Sequence, residues 1–192
     1  MTIEERRARD RAARRRLIAI TARTLAEADG WDAVTTRRLS AEIEYSQPVL
    51  YKHFSGMEDI TAAVAIDGFA ELAEALALAR TSAEEPGHVL RRVAHAYIDF
   101  ARENPALYEA MFIRSTTLRF AAADTPPELS AAFAELREAV VAIAGGRDVD
   151  TLTEVLWAAL HGLTALSGSR RLRPGQDSDR IELLAAQFSA VP

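Results

Sequence analysis

Apolar residues recur at intervals of three and four along nearly the whole of this 192-residue chain, and no stretch shows the alternating pattern that would compete as a strand. That periodicity predicts an all-α fold in which each helix buries one face on a neighbour. In the first long segment Leu17, Ile20, Thr21, Thr24, Leu25 and Ala28 follow this spacing and are expected to form the buried face. Asp29-Gly30 ends it, because glycine tolerates the left-handed backbone that closes helices. Later starts are marked by side-chain chemistry. Ser55 with Glu58 and Thr125 with Glu128 have capping-box spacing, and Asn104-Pro105 places a cap before a first-turn proline. The pattern predicts about nine helices, near 8–29, 36–43, 47–53, 56–80, 86–103, 105–114, 127–144, 150–168 and 179–189. The breaks at 81–87, 124–127, 145–148 and 173–178 are short, so they read as helix connections rather than interdomain linkers.

Hydrophobic residues make up 49% of the chain against 27% charged, and no apolar run approaches bilayer length, which predicts a soluble globular protein. The opening MTIEERRARDRAARRRL lacks an apolar core with a small-residue cleavage site, so a cytoplasmic location is expected. With no cysteine there are no disulfides, thiolate nucleophiles or thiolate metal sites. The net charge of −5 hides an asymmetry. Residues 1–56 carry 11 Lys+Arg against 8 Asp+Glu, a balance of +3, and the remainder carries 12 against 20, a balance of −8. Arg6, Arg7, Arg9, Arg11, Arg14, Arg15 and Arg16 crowd the beginning, where they can reach phosphates beside a docked helix or simply face water as a solvated end.

Residues 34–60, VTTRRLSAEIEYSQPVLYKHFSGMEDI, hold two helices too short to stand alone, separated by about three residues. Val34, Leu39, Ile43, Tyr45, Leu50 and Phe54 are expected to pack on the first helix, leaving a surface helix that carries Gln47, Pro48, Val49, Tyr51, Lys52 and His53. Those side chains suit a DNA groove. Gln bonds adenine edges, Val and Pro touch a thymine methyl, and Tyr, Lys and His hold phosphates. Ser46 can cap the first turn, whose free N–H groups also attract phosphate.

This stretch resembles the DNA-binding domain of the TetR family of bacterial regulators, in the order of a first helix, TTRRLS, YSQPVLYKHF and an immediate fourth helix. The resemblance covers roughly residues 10–60. It implies that Thr36 and Arg37 support or enter the major groove from the preceding helix, that Gln47, Pro48 and Val49 face bases, and that Tyr51, Lys52 and His53 hold the backbone. Glu44 stands where the family usually has glycine, which predicts a strained or reshaped turn. Met57 stands where it usually has lysine, removing one phosphate contact. The implied organisation is a helix-turn-helix domain at 1–56, with its motif at about 35–54, joined through a fourth helix to a ligand-binding and dimerisation domain at 57–192.

Further on, FARENPALYEAMF at 100–112 and LWAALHGLTAL at 156–166 resemble a TetR C-terminal domain type named for a Trp-His-Gly motif, here Trp157, His161 and Gly162. Trp157 and His161 lie four apart on one helical face and would project indole and imidazole side by side, as ligand contacts or as satisfied core. Tyr97, Tyr108, Met111 and Phe112 are core by default and pocket by resemblance. Ala158, Gly162 and Ala165 are small residues at helical spacing, and Ile181, Leu184, Ala185 and Phe188 form an apolar stripe. The resemblance makes these two helices a dimer surface, and intrachain packing is the alternative.

The four histidines, at 53, 88, 95 and 161, lack zinc-ligand spacing, no glycine-rich phosphate loop is present, and Ser167, Ser169 and His161 lack the context of a triad. Neither a metal, a cofactor nor an enzymatic activity is expected. The reading is a ligand-responsive regulator that holds an inverted-repeat operator as a homodimer and is released by a small, largely apolar effector. A helical adaptor that binds only protein, or a small-molecule-binding module without specific DNA binding, is the competing reading.

Overall fold

The structure is a computed structural model that describes residues 2–82, 86–114, 116, 118–119, 122 and 125–189, the side chains of residues 86 and 87 excepted. The breaks expected at 81–87 and 124–127 fall partly outside the described residues. Among the described residues there are nine α-helices and no strand: α1 (Ile3–Asp29), α2 (Thr36–Glu42), α3 (Gln47–Tyr51), α4 (Met57–Thr81), α5 (Pro86–Glu103), α6 (Pro105–Phe112), α7 (Pro127–Val141), α8 (Val149–Gly168) and α9 (Asp177–Ser189). A single 3-10 turn, Trp31–Ala33, follows α1.

Helix α1 starts well before the predicted residue 8. Thr2 caps it, with its hydroxyl accepting from the Glu5 N–H and the Glu5 carboxylate accepting from the Thr2 N–H, a capping box in the T-x-x-E spacing. The helix closes at Gly30, whose φ of +79° with ψ of 158° only glycine adopts without strain. Its buried face is rotated from the predicted one. Ile18, Ala19, Ala22, Leu25 and Ala26 are buried, whereas Leu17 and Ile20 are 43% and 49% exposed. Both sets repeat at helical spacing, and the partner surfaces decide between them.

Two other expected caps are also replaced. The Ser55 N–H and hydroxyl bond Asp59 Oδ2, at 3.0 and 3.4 Å, rather than pairing with Glu58. Helix α7 has Pro126 as its N-cap, one residue beyond the expected Thr125.

The described chain divides into two compact units. One comprises Met1–Gly68 with Asn104–Asp124, and the other Phe69–Glu103 with Thr125–Pro192. The first unit therefore takes in α6 as well as the three N-terminal helices, and the division falls inside α4. Its core gathers Ile18, Ala22, Leu25, Trp31, Leu39, Leu50, Phe54, Ile60 and Val64. Gly68 lets α4 and α6 approach, since a Cβ there would lie 2.7 Å from Met111 Sδ and 2.8 Å from Leu107 Cδ1. In the second unit α5 packs against α7, α8 and α9. Arg147 ties two helix ends together by donating to the carbonyls of Ile143, at 2.6 Å, and Phe188, at 2.7 Å.

Candidate nucleic-acid interface and sensor residues

Helix α3 buries one side only. Leu50 is fully buried, while Gln47, Pro48, Tyr51 and Lys52 are exposed and Val49 and His53 are half-buried. Ser46 is the N-cap in extended backbone but makes no side-chain capping bond; its carbonyl accepts from the Val49 N–H at 2.9 Å. Helix α2 is capped by Thr35, whose hydroxyl accepts from the Arg38 N–H at 3.1 Å. The two arginines that follow diverge. Arg37 is exposed, whereas Arg38 folds back onto Asp29 and toward the Ala33 carbonyl. Between the helices Glu44 has a φ of +55°, the left-handed region where a side chain crowds its own carbonyl. Of the two outcomes expected for this turn, a residue in strained backbone is the one observed.

Arg15 differs from its neighbours. Its guanidinium stacks 4.0 Å above the centre of the Phe54 ring, donates to the His53 carbonyl and pairs with Asp59 Oδ1 at 3.5 Å. It fastens α1 to the turn that follows α3, a role the arginine run alone did not reveal. His53 has its imidazole pKa pushed below 6.5, first by burial and then by Arg14, Arg11, Arg15 and Lys52. Its Nδ1 is buried without a hydrogen-bond partner among the described residues.

The expected sensor residues fall in both units. Tyr97, Trp157 and His161 belong to the second. The Trp157 indole N–H donates to the Tyr97 hydroxyl at 3.2 Å, joining α8 to α5. Phe133 from α7 meets the indole edge-on, with ring centres 6.4 Å apart, and was not among the residues expected there. Its place in the apolar pattern of α7 was the available signal. His161 stands one turn beyond Trp157, half-buried, and burial lowers its pKa from 6.5. Tyr108, Met111 and Phe112 lie on α6 in the first unit, where the Tyr108 and Phe112 rings are 4.7 Å apart.

Helix α6 is held to α1 by polar contacts that sequence spacing could not show. The Glu27 carboxylate accepts from the N–H groups of Ala106, at 3.1 Å, and Leu107, at 2.9 Å, so a residue of α1 caps α6. The Trp31 indole donates to the Ala106 carbonyl at 2.7 Å, Arg23 to Asn104 Oδ1 at 2.9 Å, and Arg114 pairs with Asp32 at 2.6 Å.

The expected dimer residues divide by helix. On α8, Ala158 and Ala165 are exposed and Gly162 is half-buried with open space where a Cβ would sit. Val155 and Leu166 extend the same apolar row into solvent. On α9, Ile181, Ala185 and Phe188 are at most 9% exposed, which corrects their assignment to an outer surface. They are the face α9 turns to its own chain, because α5 packs against it. Leu184 is half-buried and Leu183, beside it, is 63% exposed.

No helix of the described residues is long and apolar enough to cross a membrane, and none of their His, Asp or Glu side chains group as a metal site.

A family model described as bacterial regulatory proteins, tetR family, matches residues 18–64, and one described as a tetracyclin repressor-like C-terminal domain matches residues 90–190. An uncharacterised HTH-type transcriptional regulator of Bacillus subtilis, YobS, is 33% identical over 99 residues, 52% of this chain and 51% of that protein. The chain thus spans about half the length of this curated relative. Among solved structures, a protein of unknown function from Rhodococcus sp. RHA1 superposes with a TM-score of 0.76 at 25% identity, over 91% of this chain and 93% of that one. RolR in complex with resorcinol superposes with a TM-score of 0.67 at 20% identity, over 95% and 88% of the two chains.

Proposed function

Because this chain belongs to the tetR family of bacterial regulatory proteins, we propose that it represses transcription as a homodimer on an inverted-repeat operator and is released by a small, largely apolar effector. The observation that carries the reading is that Gln47, Pro48 and Tyr51 are exposed on a five-residue helix whose Leu50 is fully buried, with Val49 half-buried between them and Lys52 exposed at the C-cap. Gln47, Pro48 and Val49 address base edges, with Thr36 and Arg37 beside them, and Ser46, Tyr51, Lys52 and His53 address phosphates. Residues 1–56 carry the DNA contact, and 57–192 carry effector binding and dimerisation.

Two recognition helices in one dimer read half-sites about one DNA turn apart, and an effector that binds a state with another separation lowers affinity. Tyr97, Trp157 and His161, with Tyr108, Met111 and Phe112, are the effector candidates. Helix α4, which has residues in both units, and α6, capped by Glu27, are the elements able to carry the change.

Selection of bound duplexes from a randomised library by the full chain tests this. The expected product is an inverted repeat bound with steep salt dependence. Recovery of a single asymmetric site bound equally well by monomer would sink the two-fold reading, and effector screening then uses the selected duplex for release.

A further inference from the structure

The face of α1 that enters the core as Ile18, Ala22, Leu25 and Ala26 continues toward the N-terminus, at the same intervals of three and four, as Arg7, Arg11, Arg14 and Arg15. Every described residue before Arg15 is exposed, so this part of the helix buries none of its faces on the rest of its unit. Only its inner end is anchored, where Arg15 lies over Phe54 beside the end of α3. Arg7, Arg11 and Arg14 form no ion pair among the described residues. Arg11 and Arg14 nonetheless stand close enough to His53 to disfavour its protonation, as do Arg15 and Lys52. The row therefore points to the side of the unit that carries α3. Arg9 and Arg16 lie on the opposite side of α1, and Glu4 closes the row at its outer end.

We propose that Arg7, Arg11 and Arg14 form a second phosphate-binding track, which grips the duplex backbone beside the segment read by α3 and lengthens the footprint of each subunit. The track rests on the DNA-binding function proposed above. Eight residues of helix separate Arg7 from Arg15, about 12 Å at 1.5 Å per residue, a span of about three phosphates along one strand. Arginine suits the task because its planar donors bind phosphate oxygens in pairs. A solvated tail would not need its cations in the register of the core face.

The test measures affinity of the full chain against salt concentration, on a duplex selected by the wild-type protein from a random library. Arg7→Gln with Arg11→Gln, which keeps helix-forming side chains, should lower the slope of log K against log salt by about 2 per subunit, at about 0.9 per phosphate contact, with base preference unchanged. Arg9→Gln with Arg16→Gln removes the same charge from the other side and should leave the slope nearly unaltered. Arg7→Lys with Arg11→Lys should restore most of it. Equal losses in the two Gln pairs would reduce the track to general charge attraction, and an unchanged slope in the first pair would overturn it outright. A wild-type chain that selects no duplex defeats the regulator reading and the track together, whereas a wild-type chain that binds with the first pair unaltered defeats the track alone.

Discussion

Gln47 opens α3 and Lys52 stands at its C-cap, and the two side chains offer different chemistry to a duplex. Gln47 has a paired donor and acceptor at the N-terminal end of α3, so on the base-reading role proposed for it Gln47→Ala should cost about 1 to 3 kcal/mol on the selected operator and relax preference at one position per half-site. Lys52→Ala should instead weaken all sequences alike and flatten the salt dependence; titrations on operator and random duplex at several salt concentrations separate the two. Glu44 makes a prediction in the opposite direction. Its φ of +55° strains a residue with a Cβ, so Glu44→Gly should stabilise the chain by about 1 kcal/mol despite glycine's larger unfolded-state entropy, read as a higher denaturation midpoint. His161 sets a pH dependence. Burial holds its pKa below 6.5, so the unfolded chain takes up its proton first, and stability present above that pH is lost as pH falls below it. Melting temperatures between pH 7.5 and 5 should fall less steeply in His161→Gln, which cannot take up that proton.

The helices were legible because most of their boundaries are written locally: Gly30, Pro105 and Pro127 each mark an end in the sequence itself. Which face of α1 is buried was not legible, since Leu17 and Ile20 repeat as regularly as Ile18 and Ala22 and only the packed partners distinguish them. The cap of α6 was likewise out of reach of spacing, for Glu27 lies 79 residues from the Ala106 N–H it accepts from. Glu27→Ala should destabilise the first unit by about 1 kcal/mol, the usual worth of an N-cap, whereas Glu27→Gln should recover part of that through its carbonyl oxygen. Denaturant unfolding of both variants checks the pair, and equal stability in all three chains would show that water replaces the cap without loss.

Across the whole chain, oligomer and monomer stability can be separated at Gly162. A Cβ there has open space around it, so Gly162→Leu should leave the isolated chain about as stable or slightly more so through better helix propensity. If α8 meets a second copy along Ala158, Gly162 and Ala165, the same change overpacks that contact and should raise the dimer dissociation constant at least tenfold by sedimentation. An unaltered dimer places the interface elsewhere. The 23 basic residues include a single lysine, Lys52, exposed at the end of α3. An acylating reagent thus finds one side-chain amine in this sequence besides any terminal amine, so the mass of the peptide that contains Lys52 after a brief pulse reports how often that one nitrogen is covered. Titrating in duplex while following that single adduct turns protection of the end of α3 into a count of occupied chains.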